Sequence, residues 1–149
     1  MATLMGWREW ASLPGLGVDR VKVKVDTGAR TSALHATQVT LKEINGEQWV
    51  SFKVLPMQGN SEVVLTCEHP VFEHRTIRDS GGHEEERVII KTPVSVGTDQ
   101  WDIELSLTDR ETMGFRMLLG RNAIRTRYFV DPTSSFILTS PADGSEEQE

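Results

Sequence analysis

Apolar and polar residues alternate with a period of two along most of the chain, and helical periodicity is nearly absent. The clearest run is Val21-Lys22-Val23-Lys24-Val25, the pattern of a half-buried strand, and it leads directly into Asp26-Thr27-Gly28. The aspartate therefore sits at a strand end. Ahead of it, Leu13-Pro14-Gly15-Leu16-Gly17 supplies turn residues between this strand and an N-terminal one over Trp7 to Ala11. Further β-type runs cover Gln38 to Ile44, Gln48 to Leu55, Ser61 to Cys67, Arg87 to Val96, Gln100 to Leu107, Tyr128 to Val130 and Phe136 to Thr139. Asn45-Gly46, between two of them, is a hairpin turn signal. One short helix is expected after Gly120, over Arg121 to Arg125. The pattern predicts a mostly β fold, a barrel or a sandwich, with that helix near the C-terminal end.

Length and composition narrow this picture. The chain of 149 residues accommodates one domain with its own core, expected over residues 6–139, and the acidic stretch 140–149 reads as a disordered tail. No apolar run approaches the roughly 20 residues that span a bilayer, so no membrane partner is expected. The N-terminal residues lack the basic start and apolar core of a secretory signal. Cys67 is the only cysteine, which makes an intrachain disulfide impossible and a reducing cytoplasm the expected location. A formal charge of −6 argues against nucleic acid as a partner. The second half is locally basic, with Arg75, Arg78, Arg87, Arg110, Arg116, Arg121, Arg125 and Arg127, and leaves room for an acidic ligand.

Two motifs carry candidate chemistry. In Val25-Asp26-Thr27-Gly28-Ala29, a carboxylate follows a buried strand and precedes a small hydroxyl residue and a glycine, so neighbouring main-chain N–H groups can reach it. One such aspartate does not hydrolyse a peptide efficiently. Two carboxylates about 3 Å apart share a proton, one activating water and the other polarising the carbonyl. The chain has a single Asp-Thr-Gly, and a homodimer would bring Asp26 against its own copy across a two-fold axis. The second motif is Met117-Leu118-Leu119-Gly120-Arg121-Asn122-Ala123-Ile124, which alone reads equally well as a buried strand ending in a helix.

Together the two motifs resemble the retropepsin-like aspartic proteases, whose subunit carries Asp-Thr-Gly-Ala near its start and two hydrophobic residues followed by Gly-Arg-Asn near its end. Over roughly Gly6 to Leu138, the stretches VKVDTGARTSALHA, RTIRDSGGHEEERVIIKTPV and LSLTDRETMGFRMLLGR and the Asp131-Pro132 turn are similar to the bacterial family labelled ATP-dependent zinc proteases. That family resembles retropepsins and is associated with the ligase that adds glutamates to a small ribosomal protein. The resemblance implies a closed or partly open β-barrel of the retropepsin type and an aspartic peptidase activity. It implies that Asp26 is catalytic, that Thr27 holds the two active-site loops together across the dimer axis, and that Gly28 admits the substrate backbone. Leu118, Leu119 and Gly120 would support that loop. Arg78-Asp79-Ser80-Gly81-Gly82-His83 falls where a flap would cover the cleft, the alternative being an ordinary exposed loop.

Ala29, Arg30, Arg78, Gly81, Gly82 and Arg121 are the residues expected to hold substrate. Arg30 departs from the viral pattern, which has an aspartate there to pair with the arginine of the Gly-Arg segment. An arginine at this place offers a cation to an acidic substrate, with Arg78 or Arg121 helping, or is a surface residue with no role. The expected substrate is a peptide or protein, with an acidic one such as a glutamate-rich tail as the candidate.

The zinc in the family label calls for ligands at usable spacing, and the chain has no His-Glu-x-x-His. Cys67, His69 and His74, with Glu68 or Glu73, are the one cluster to weigh. His83 beside Glu84, Glu85 and Glu86 reads as a solvated loop. No glycine-rich phosphate-binding signature is present. No metal and no cofactor are expected. The competing functions are a metal-dependent peptidase and a non-catalytic peptide-binding or adaptor module of the same fold.

Overall fold

The computed structural model describes residues 3–54, 64–78, 81–109 and 115–139. The elements are β1 (Thr3–Gly6), β2 (Arg8–Leu13), β3 (Val18–Asp26), β4 (Ser32–Ile44), β5 (Glu47–Val54), β6 (Leu65–Pro70), β7 (Glu73–Arg78), β8 (Glu84–Val96), β9 (Asp99–Thr108), β10 (Met117–Gly120), the helix α1 (Arg121–Ile124) and β11 (Tyr128–Asp131). A 3-10 turn at Pro14–Leu16, closed by Gly17 at φ +75°, links β2 to β3 where the turn residues predicted a connection. The Asn45-Gly46 signal also holds, with both residues at positive φ, +53° and +82°, between β4 and β5.

The fold is mostly β, with one α-helix among the described residues, near their C-terminal end. The strands run in the order β10, β3, β2, β8, β9, β4, and β10 also pairs with β4, which brings the sheet back on itself. The ring is partly closed, because β2 meets β8 through the single pair Ser12↔Ser95. From β4 the sheet extends outward through β5 to β6, and β7 pairs along the first half of β8. A separate two-stranded ribbon joins β1 and β11 in parallel. No helix among the described residues is long and apolar enough to cross a membrane.

Alternation explains the core. Val21, Val23 and Val25 of β3 point inward with Leu34, Phe52, Ile90, Leu105, Met117 and Leu119, all buried. The opposite face of β3 is not simply solvated. Lys22 is 3% exposed, with its ammonium over the rings of Phe115 and Trp10 at 5.5 and 6.0 Å from their centroids.

Three sequence expectations need correction. Two strands went unanticipated. β1 is only four residues long, and β7 carries a single large apolar residue, Ile77, and is defined by its pairing with β8. Conversely, Phe136 to Thr139 forms no ladder, because its main-chain donors have another partner. Glu9, fully buried on β2, accepts hydrogen bonds from the N–H groups of Gly6, Ile137, Leu138 and Thr139 and from the Thr139 hydroxyl, at 2.7 to 3.2 Å. The expected tail at 140–149 lies outside the described residues.

Candidate active site

Asp26 is the last residue of β3 and stands level with Gly120, the last residue of β10, in a parallel pairing that also matches Val25 with Leu119 and Lys24 with Leu118. After Asp26 the chain turns sharply. The Gly28 N–H donates to Asp26 Oδ1 at 3.0 Å, and the Ala29 N–H donates to the Asp26 carbonyl at 3.1 Å. The first bond orients the carboxylate and the second closes the turn. Asp26 is left half-buried, with Thr27 and Gly28 exposed beside it.

The rest of the loop is held from below by the second motif. Two N–H groups at the start of α1 donate into it, Arg121 to the Ala29 carbonyl at 2.8 Å and Asn122 to the Arg30 carbonyl at 3.1 Å. These are donors that a helix start leaves without intrahelical partners. The Gly120 N–H donates to the buried Ser32 hydroxyl at 3.0 Å. Gly120 has no room for a side chain, since a Cβ there would lie 2.7 Å from the Thr31 carbonyl carbon. Arg121 adds a contact from Nη1 to the Gly28 carbonyl at 3.3 Å. From behind, the Val25 N–H donates to the Trp7 carbonyl at 2.8 Å, which ties the strand end to the β1–β2 junction.

The structure therefore brings Asp26, Thr27, Gly28, Ala29, Arg30 and Arg121 into one cluster with Leu118, Leu119 and Gly120. Arg30 is exposed, and its side chain makes no hydrogen bond or ion pair among the described residues. The segment from Arg78 to His83 connects β7 to β8, with Gly81 and Gly82 exposed and Gly82 at φ +85°; residues 79 and 80 lie outside the described residues. It is thus the end of a β-hairpin. Arg78 there is engaged by Glu84, through Nε at 3.2 Å and Nη2 at 2.5 Å. The hairpin touches the Asp26 loop at its base, where Arg75 Nη1 lies 3.4 Å from Thr31 Oγ1.

Ser32 and Arg75 were not singled out in the sequence. Ser32 follows the motif by only a few residues, and its role shows only once β10 lies alongside. A polar hollow of about 270 Å³ is lined by Thr31, Lys91, Asp102, Glu104, Asn122 and Arg125. Asp26 does not line it, so it is not the cleft of a reaction centred on that residue.

The cluster weighed for metal is dispersed. The Cys67 thiol is buried, points to the Leu16 carbonyl at 3.5 Å, and is pushed above its ordinary pKa by burial. His69 Nδ1 lies 2.9 Å from the Pro70 carbonyl, and His74 Nε2 lies 2.7 Å from Gln48 Oε1. Among the described residues no three His, Cys, Asp or Glu side chains gather as metal ligands would.

Residues 4–141 match the RimB-like family, described as retropepsin-like aspartic endopeptidase RimB. Relatives include a protein of Shewanella pealeana described as "Probable alpha-L-glutamate ligase", 42% identical over 145 residues, which are 97% of this chain and 32% of that protein. A protein of Desulfotalea psychrophila with the same description is 44% identical over 129 residues, 87% of this chain and 28% of its own length. The chain spans about a third of the length of these curated relatives. The crystal structure of a DUF785 protein of unknown function from Legionella pneumophila superposes with a TM-score of 0.76 at 24% identity, covering 93% of this chain and 100% of that one, a likeness of fold. The chain belongs to the RimB-like family of retropepsin-like aspartic endopeptidases.

Proposed function

We propose that this aspartic endopeptidase acts as a homodimer in a reducing cytoplasm, with one Asp26 from each subunit, and that it trims acidic, glutamate-rich peptide tails. The observation that carries the reading is the clamped strand-end carboxylate: Asp26 is oriented by the Gly28 N–H while the loop after it is held by Gly120 and α1.

In the paired site one Asp26 is ionised and its copy protonated, because two adjacent carboxylates do not both ionise. The ionised member takes a proton from water as its oxygen attacks the peptide carbonyl. The protonated member donates a hydrogen bond to the oxygen on which charge develops. The tetrahedral intermediate then expels the amine, which leaves with a proton from the dyad.

Two features support the pairing and the substrate. The β1–β11 ribbon presents Leu4 and Phe129 as direct cross-strand neighbours, 46% and 67% exposed, an apolar pair able to meet its own copy across a two-fold axis. Arg30 offers an exposed guanidinium four residues after Asp26, suited to a glutamate carboxylate. The description of the relatives as glutamate ligases gives that chemistry a context.

The test compares wild type with Asp26→Asn on glutamate-tailed and unbiased peptides, with and without chelator, alongside sedimentation. Expected are preferential shortening of the glutamate tails, loss of cleavage by at least about a hundredfold in Asp26→Asn, indifference to chelator and a dimer at micromolar concentration. Cleavage that survives the substitution, or an active strict monomer, would sink the reading. Arrest by chelator would favour a metal-dependent peptidase instead.

A further inference from the structure

We propose that Arg75, with Arg87 opposite it, is a positioning residue for the peptidase reaction: the two guanidinia tie the β7–β8 hairpin to the chain segment that follows Asp26, so that the hairpin's position is transmitted to the aspartate.

Arg75 on β7 and Arg87 on β8 are direct cross-strand partners. Like charges directly opposite destabilise a strand pair unless acids answer them. Arg75 donates to Glu73 from Nε at 3.0 Å and from Nη2 at 2.8 Å, and Nη2 also donates to Glu104 of β9 at 2.9 Å. Arg87 donates from Nε to Glu85 at 2.9 Å. The Glu73 and Glu104 carboxylates raise the Arg75 pKa further, and Arg75 in turn holds the Glu73 carboxyl below its ordinary range.

With their charges answered by neighbouring carboxylates, Arg75 reaches the stretch after Asp26 directly and Arg87 reaches it through one intermediate on β9. Arg75 Nη1 lies 3.4 Å from Thr31 Oγ1. Arg87 Nη1 lies 3.4 Å from the hydroxyl of Ser106, which is fully buried and donates to the Ser32 carbonyl at 3.0 Å. Ser32 Oγ accepts the Gly120 N–H, and the Thr31 main chain presses on Gly120. Residues 31 and 32 are therefore held from two sides, by β10 beneath and by the hairpin, through Arg75 on Thr31 and through Arg87 and Ser106 on Ser32.

Magnitudes separate this from ordinary surface pairing. Exposed ion pairs contribute little and would carry no argument. The Arg87 side chain, however, is only 11% exposed, and the Arg75 side chain 25%. The two 3.4 Å contacts are at the long limit for hydrogen bonds, so they add little stability themselves. What they fix is placement, to which catalytic rates are far more sensitive than stability is.

The test uses Arg75→Met, which keeps length but no donors, Arg75→Lys, and Thr31→Val, which removes the accepting hydroxyl. Two quantities are read: amide hydrogen exchange at Gly120, Arg121 and Asn122, which donate into the loop, and kcat and KM on any cleaved peptide. In Arg75→Met, exchange at those three amides rises about tenfold while amides of β5 and β6 keep their rates. Its kcat falls about tenfold with KM within about twofold. Arg75→Lys lies between, and Thr31→Val reproduces the loss without adding to that of Arg75→Met. Unchanged exchange at the three amides overturns the proposal, as does a rise shared equally by β5 and β6, or a change in KM alone. The exchange readout needs no substrate, so it is decided independently of whether acidic tails are the natural target.

Discussion

Gly120→Ala adds one methyl group at the point where β10 passes under the Asp26 loop. The new Cβ would lie 2.7 Å from the Thr31 carbonyl carbon and 2.9 Å from the Ala29 and Thr31 carbonyl oxygens, whereas ordinary contact begins at 3.4 Å. All three atoms are main chain, so no side chain can rotate away. The loop must lift by about 0.7 Å to restore the van der Waals gap. That lift stretches the Arg121 and Asn122 bonds to the Ala29 and Arg30 carbonyls, now 2.8 and 3.1 Å. Overpacking of this kind costs about 1–3 kcal/mol, and weakening two hydrogen bonds adds up to about 1 kcal/mol each. A total near 3 kcal/mol lowers the melting temperature by roughly 6–12 °C for a chain of this size. If Asp26 is catalytic as proposed, displacement of its loop by about 0.7 Å lowers kcat by about ten- to a hundredfold. Denaturant midpoints and steady-state kinetics measure the two effects. A Gly120→Ala protein with wild-type midpoint and wild-type kcat would refute the claim that close approach of β10 positions the loop.

Gly28→Ala makes the contrasting case: its Cβ would meet only the side-chain atom Asp26 Oδ1, at 3.3 Å. Thermal melts should move by less than about 0.5 kcal/mol, while KM rises if substrate main chain approaches there. Glu9→Gln replaces a buried carboxylate that five donors share with an amide whose nitrogen cannot accept. The loss expected in chemical denaturation is about 3 kcal/mol; one under about 1 kcal/mol would mean the donors find other partners. The Cys67 thiol, raised by burial, should alkylate at mildly alkaline pH at least about tenfold more slowly in the native than in the unfolded protein. Asp131 is held below the ordinary aspartate range by the Thr133 hydroxyl and N–H and the Ser134 hydroxyl. Its stabilising contribution is therefore present above the ordinary aspartate value and is lost as pH falls through the lowered one. Carboxyl carbon NMR should give Asp131 a lower midpoint than an aspartate in the unfolded chain.

Legibility of the fold followed local pattern. β3, β5, β8 and β9 repeat a two-residue alternation over runs long enough to stand out, and Asn45-Gly46 carried its own turn chemistry. β7 could not be read this way, because Glu73-His74-Arg75-Thr76-Ile77-Arg78 offers too few apolar positions to show a buried face. It is a strand because β8 provides a hydrogen-bonding edge, which is a tertiary fact. Phe136 to Thr139 failed in the opposite sense: its composition suits a strand, but the ladder's place is taken by the buried Glu9 carboxylate, 128 residues earlier. Nothing in the local sequence announces that capture.

For the site, the sequence pointed to a candidate carboxylate and to the family, and not to the mechanical connections. Asp26 and Gly120 could be paired by motif although 94 positions separate them, and the parallel register sets them side by side. The hydroxyl of Ser32 and the guanidinium of Arg75 had no such signal, since serines and arginines are frequent and their partners lie 88 and 44 residues away. The same holds for Arg78, whose Glu84 partner follows from the hairpin register, with Arg78 opposite Glu84. The candidate carboxylate can be marked by four residues because the turn's hydrogen bonds are local: the Gly28 N–H closes on the Asp26 carboxylate and the Ala29 N–H on the Asp26 carbonyl, within three positions. What keeps that turn in place comes from β10, α1 and the hairpin, three elements distant in sequence. Substitutions at Asp26 should therefore abolish the chemistry outright, whereas those at Gly120, Ser32 or Arg75 should degrade it by graded factors with the carboxylate still present.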